Sequence, residues 1–227
     1  MLCHKNYNFK QEDLTFLLQV YHDFELAKVC VNNLRTHYPN SRLVIISDGD
    51  PDPRIKQLAS DRHGEYIAGE WLYGIESGGK MIQRMLSTFL SSPSQYLLKI
   101  DSDTTISRPF GYFPGKDCIF GTRQRSKLTF SIQGGFVGFT LNSAKKLLNS
   151  NIFLSNELSN YKETWAKNNK DLILAVKETK RIRFEWVLAF AAKKLSIPQL
   201  DFKEVCSKWK HPVRNTNLRY AATHPNK

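Results

Sequence analysis

The chain has no apolar run approaching the roughly 20 residues needed to cross a bilayer. Its opening, MLCHKNYNFKQEDL, lacks an apolar signal core, which predicts a protein that is not secreted. Only four cysteines, Cys3, Cys30, Cys118 and Cys206, are scattered through 227 residues without metal-ligand spacing. Reduced thiols in a cytoplasmic protein are therefore expected. Zinc-finger spacing is absent, and the basic residues do not interleave with the aromatics of an RNA-binding sheet. Both absences argue against nucleic acid as a partner. No internal repeat and no clear linker divides the chain, so a single domain over residues 1–227 is expected.

What is present describes a soluble globular protein, 41% hydrophobic and 24% charged. The net charge of +12 is uneven. Residues 1–143 carry 16 Lys/Arg against 14 Asp/Glu, a net of +2, and residues 144–227 carry 17 against 7, a net of +10. Such a basic carboxyl-terminal part suits an anionic partner: a nucleotide, an acidic polymer, a nucleic acid or a membrane surface. A solvated lysine-rich face accounts for the same residues.

The apolar run LTFLLQVY (14–21) predicts a buried strand. ELAKVCVNNLRTHYP then predicts a helix with Leu26, Val29, Cys30 and Leu34 on its inner face, closed by Pro39. A second strand, Leu43–Ile46, ends in Ser47-Asp48-Gly49-Asp50, completing a βαβ unit with parallel strands. A short helix (54–63), a short strand EYIAG and an irregular loop (70–79) follow. From Lys80, KMIQRMLSTFLSSP carries an apolar stripe that Pro93 ends. Farther on, residues 107–133 read as short apolar pieces around a polar loop, TRQRSKLTFSIQ. GGFVGFTLNSAKKLL reads as a Gly-Gly turn, a strand and a helix, and residues 151–183 as polar and partly helical. FEWVLAFAAKKL predicts a helix from Glu185 too apolar to be exposed, and the tail beyond Pro198 reads as strand-poor.

The stretch with most chemistry is YLLKIDSDTTI (96–106), an apolar strand that stops in Asp101-Ser102-Asp103. In open α/β folds, ligands bind at the carboxyl ends of the strands. Two carboxylates placed there suit Mg²⁺ or Mn²⁺. Asp-Ser-Asp-Thr is equally good turn chemistry, and both readings stand. GIESGGKM (74–81) approaches a phosphate-cradling loop, but Met81 replaces the hydroxyl that would hold Mg²⁺ and EWLY is a poor preceding strand. Lys80 at a glycine-rich helix start still suits an anion.

Taken in order, these pieces resemble the nucleotide-sugar glycosyltransferases of the GT-A fold, in particular family 2, over most of residues 14–196. The resemblance implies one mostly parallel, twisted sheet flanked by helices, with residues 1–106 as a nucleotide-binding half and 107–227 as an acceptor-binding half. It implies a nucleotide-diphosphate sugar as donor and Mn²⁺ or Mg²⁺ as cofactor, and with the basic carboxyl-terminal part it suggests an acidic glycan or a lipid-linked acceptor met peripherally at a membrane surface. Asp48 would contact the nucleoside, Asp101 the ribose or the metal, and Asp103 the metal. Lys80, Gly134 and Gly135 would line the donor site, and His224 would complete the metal sphere. The family's Glu-Asp motif is replaced by Phe184-Glu185-Trp186. Glu185 would then be the general base of an inverting transfer, or simply a helix-start residue. Two alternatives remain. Asp101-Ser102-Asp103-Thr104-Thr105 also fits the nucleophile motif of haloacid dehalogenase-like phosphatases, although there the motif strand comes first in the sheet. The other is a non-enzymatic basic binding protein whose acidic turn is structural.

Overall fold

Strands buried on both faces must be covered by helices on both sides, and the chain folds accordingly. The computed structural model describes residues 5–49, 52–125, 130–209 and 220–226. In order, these form β1 (Lys5–Asn6), β2 (Leu14–Val20), α1 (Phe24–His37), β3 (Arg42–Asp48), α2 (Pro53–Asp61), β4 (Glu65–Gly69) and α3 (Ser77–Ser91). Next come β5 (Tyr96–Asp101), β6 (Thr105–Ile106), β7 (Phe113–Pro114), β8 (Ile119–Arg125), β9 (Phe130–Thr140) and α4 (Leu141–Asn149). The chain continues with α5 (Asn156–Ser159), α6 (Lys170–Thr179), α7 (Phe184–Lys194), β10 (Gln199–Asp201), β11 (Val205–Trp209) and β12 (Ala222–Asn226).

The central sheet has the order β10-β8-β9-β5-β2-β3-β4. Only β9 runs against the others, so the sheet is mostly parallel, as expected. β1 pairs with β7 apart from it, and β11, β12 and β6 form a small third sheet. Side chains alternate across the strands. Leu17, Val44, Ile46 and Leu97 join one core with α3, α4, α6 and α7. Phe16, Leu18, Leu43, Ile45, Leu98 and Ile100 join the other with α1, α2 and an aromatic cluster around Phe113. Cys30, Cys118 and Cys206 are buried as thiols, and Cys3 lies outside the described residues. No described helix is long and apolar enough to cross a membrane.

Several expectations are corrected. α1 buries Ala27, Cys30, Val31 and Leu34, leaving Leu26 39% and Val29 56% exposed. The helix is turned so that the small Ala27 meets the core. The polar loop expected around residues 122–133 is largely strand: its described ends belong to β8 and β9, which pair antiparallel, and 126–129 lie outside the described residues. Gly134 and Gly135 do not reverse the chain but sit inside β9. Between the pairs Gly121–Val137 and Arg123–Ile132, β9 spends four residues opposite the single Thr122 of β8. The glycines serve a bulge, which re-aims a strand where a turn would end it. The tail is not strand-poor, since β10, β11 and β12 all form. β10 has only three residues and β12 contains Pro225, so neither resembles a strand by pattern.

α3 begins at Ser77, three residues before Lys80, with Gly78 and Gly79 buried in its first turn. A Cβ on Gly79 would sit 2.7 Å from both Leu158 Cδ2 and the Phe153 carbonyl, and one on Gly78 would strike the Ile182 carbonyl. The glycines therefore admit neighbouring chain against the helix and form no phosphate cradle. In a free helix, Gly79→Ala would gain about 1 kcal/mol. Here overpacking costs about 1–3 kcal/mol, so a net loss of about 1 kcal/mol is expected in urea unfolding. An unchanged or raised midpoint would show that the helix has room there.

Candidate active site

β5 alternates Tyr96, Leu98 and Ile100 toward one core with Leu97 toward the other. Lys99 and Asp101 share the parity of Leu97, and the strand ends at Asp101. The Thr104 N–H donates to the Asp101 carbonyl at 3.0 Å, so the acidic pair is also a turn. The turn leads straight into β6, where Thr105 pairs with Thr223 and Ile106 with Ala222 of β12. On its other edge β12 runs parallel to β11, with His224 beside Ser207. These pairings deliver His224 to the acidic turn. Its Nε2 lies 2.9 Å from Asp103 Oδ1 and 3.4 Å from Asp101 Oδ2, and its Nδ1 lies 3.4 Å from Ser207 Oγ. Far from dangling in a tail, His224 is buried at 8% exposure.

Asp101, Asp103 and His224 each offer one ligand atom, all within 4.8 Å of one another. Two carboxylate oxygens and an imidazole nitrogen fit a divalent cation. Burial alone would raise the Asp101 carboxyl, but the Lys99 ammonium and His224 beside it hold it down to about 2. Burial likewise opposes the charged imidazole, yet hydrogen bonds to Asp101 and Asp103 push His224 up to about 9.

Lys99 escaped the sequence reading. It is 4% exposed, ion-paired with Asp101, and donates to the Gly134 carbonyl at 2.7 Å. A lysine interrupting an apolar strand two residues before the acidic pair was the available signal. Across β5, the bulge of β9 leaves two carbonyls outside the ladder: Lys99 takes that of Gly134, and Thr104 Oγ1 donates to that of Gly135 at 3.3 Å. The same glycines make room. A Cβ on Gly134 would lie 2.7 Å from Glu185 Oε1, and one on Gly135 would fall on the His224 ring. Glu185 sits in the first turn of α7, whose place is set by burial of Trp186, Val187, Leu188, Phe190, Ala191 and Ala192. At roughly 1.5–3 kcal/mol per large apolar side chain, packing decides where that carboxylate points.

Lys99, Asp101, Asp103, Glu185 and His224 line one cleft of about 580 Å³ with Gly134 and Gly135, together with Asp48, Gln19, Arg181 and Arg183. Asp48 is ion-paired with Arg84, which also donates to the Glu70 carbonyl at 3.2 Å. Gln19, opposite Asp101 in the β2–β5 register, was also missed. Its Nε2 is buried with no hydrogen-bond partner among the described residues, and a ligand oxygen would satisfy that donor. Lys80 is not brought to the cleft: it is exposed and pairs with Glu76 at 3.1 Å. A larger hollow of about 730 Å³ opens at the opposite end of β5, near Lys5, Gln95 and Lys116. Asp117, its carboxylate, is engaged by Asn142 at 3.2 Å, and among the described residues it gathers no comparable ligand set.

The Lys99–Asp101 pair yields a stability test. Removing one partner of a fully buried pair costs about 3–5 kcal/mol. The Asp101 side chain keeps 37% of its exposure, so water screening reduces the expected loss for Lys99→Met to about 2 kcal/mol. Adding Asp101→Asn should restore at least half of it in urea unfolding. Simple additivity of the two losses would show that the pair is not coupled.

No family model matches the chain, and no curated protein matches it in sequence. Among solved structures it is similar to the mannosyltransferase PcManGT from Pyrobaculum calidifontis in complex with GDP-Man and Mn²⁺. Identity is 10% and the TM-score 0.47, over 65% of this chain and 48% of that one. The chain thus spans about half the length of that structure. So slight a likeness leaves function to be argued from the cleft itself.

Proposed function

We propose that this chain is a metal-dependent glycosyltransferase, moving a sugar from a nucleotide-diphosphate donor to an acceptor hydroxyl. The observation that carries the reading is the convergence of Asp101, Asp103 and His224 at the carboxyl edge of the sheet, in the cleft that Glu185 also lines. Those three residues would hold a divalent cation, Mn²⁺ suiting the mixed oxygen and imidazole set, and when bound it would neutralise charge on the diphosphate leaving group. Lys99 fixes Asp101 from behind. Gln19 Nε2 offers a donor to an oxygen of the donor substrate, and Asp48 with Arg84 stands at the nucleoside end. Gly134 and Gly135 shape the donor side by admitting Glu185 and His224 to the cleft.

Glu185 is the general base of the proposal. Its carboxylate takes the proton of the acceptor hydroxyl as that oxygen bonds to the anomeric carbon. The bond from that carbon to the diphosphate breaks in the same displacement, which inverts the centre. The phosphatase alternative places its motif strand first, whereas here Asp101 ends β5, which follows the complete β2-α1-β3 unit.

Thermal unfolding with GDP and UDP, each with Mn²⁺, Mg²⁺ or EDTA, tests the site. At a nucleotide concentration a hundredfold above Kd, binding contributes about 2.7 kcal/mol, or about 5–10 °C for a chain of this size. The stabilisation should require the cation and vanish in Asp103→Ala. A basic binding protein with a merely structural turn would bind equally well after that substitution. If no nucleoside diphosphate stabilised the protein with either cation, the proposal would fail. Glu185→Gln should keep the stabilisation while slowing hydrolysis of the productive sugar nucleotide about 10²–10⁴-fold. An undiminished rate would remove Glu185 from the chemistry.

A further inference from the structure

One cationic feature of the cleft stands apart from the Asp101, Asp103 and His224 cluster. Arg181 and Arg183 both line it and both are exposed, while Ile182 between them is fully buried. The segment starts after a left-handed residue, Lys180 at φ 53°, which ends α6. It is held against α3, where the Ile182 carbonyl lies so close to Gly78 that a Cβ there would collide with it. Arg183 is extended (φ −66°, ψ 152°), and its carbonyl accepts from the N–H groups of Trp186 and Val187 at the start of α7. With Ile182 anchored inward, alternation along an extended chain sends residues 181 and 183 to the same side. The Arg183 guanidinium carbon lies 5.2 Å from the centre of the Trp186 ring, a contact that pre-positions it.

The other lysine or arginine lining the cleft, Lys99, is matched with Asp101, and Asp48 of the lining is matched by Arg84. Arg181 and Arg183 have no carboxylate partner among the described residues. They belong to the α7 side, four and two residues before Glu185, whereas the candidate metal ligands come from the end of β5, the turn after it and β12. A guanidinium fork matches the geometry of a carboxylate or phosphate.

Building on the glycosyltransferase reading, we propose that the acceptor is anionic. Its carboxylate or phosphate group is received by Arg181 and Arg183 at the cleft mouth, which leaves a sugar hydroxyl within reach of Glu185. The +10 balance of residues 144–227 favours approach of such a molecule.

The test compares the whole protein with its Arg181→Gln/Arg183→Gln variant, which should unfold within about 4 °C of it, since both side chains are exposed and only the Arg183–Trp186 contact is lost. Mn²⁺-dependent stabilisation by UDP or GDP is measured first; its absence from the unsubstituted protein would sink the glycosyltransferase reading by itself. Ligand-observed NMR, with nucleotide and Mn²⁺ present, then compares methyl β-glucuronide, glucose 6-phosphate and the neutral methyl β-glucoside. The stronger of the two anionic sugars should bind at least about tenfold more tightly than the neutral one, an advantage lost in the variant and weakened by salt. Which one wins tells a carboxylate from a phosphate. Nucleotide affinity should change less than about twofold, below the tenfold that one charge-assisted hydrogen bond is worth. Equal binding of neutral and anionic sugars, no binding of either anionic sugar, or loss of nucleotide affinity in the variant would each overturn the proposal. The last result would assign the arginines to the donor's phosphates.

Discussion

Two residue pairs, Thr105 with Thr223 and Ile106 with Ala222, hold the candidate site together. They join the strand that leaves the acidic turn to a strand from the far end of the chain. Because the pairing is antiparallel, the residue after Thr223 falls beside the residues before Thr105, which puts His224 against Asp103. Thr122, the β8 residue facing the bulge, secures the arrangement. Its hydroxyl donates to the Val205 carbonyl and accepts from the Ser207 N–H, tying β11 to the central sheet. A small third sheet thus acts as a bracket that closes one side of the cleft.

The electrostatics follow from that bracket. Two carboxylates brought together at a strand end repel each other unless positive charge is supplied. Lys99 from the same strand supplies it among the described residues, and His224 from β12 lies against both carboxylates. A turn built only for chain reversal has no need of a buried lysine and a buried histidine. Their presence favours a site over a bare turn, although the Thr104 to Asp101 hydrogen bond shows that the turn is real as well.

Glycine was where motif and structure parted. Gly78 and Gly79 suggested a phosphate loop, and Gly134 and Gly135 suggested a chain reversal. All four instead mark places where another part of the chain comes too near for a side chain: Ile182, Phe153 and Leu158 against α3, Glu185 and His224 against β9. The glycines themselves were legible in each case. The reason for them was not, because the neighbour is remote in sequence.

The strand–helix alternation of residues 14–101, the end of β5 at Asp101 and the apolar helix opening at Glu185 were determined by the sequence alone. Each follows from local apolar periodicity and from turn residues that interrupt it. Only the tertiary structure decided that His224 is buried beside the acidic turn, that Lys99 neutralises Asp101, and that Lys80 stays outside the cleft. It also decided which face of α1 is buried and where Gln19, Arg181 and Arg183 stand. These outcomes depend on register between distant strands and on helix rotation over the sheet. Both are settled by the packing of the whole core, to which no short stretch of sequence is sensitive.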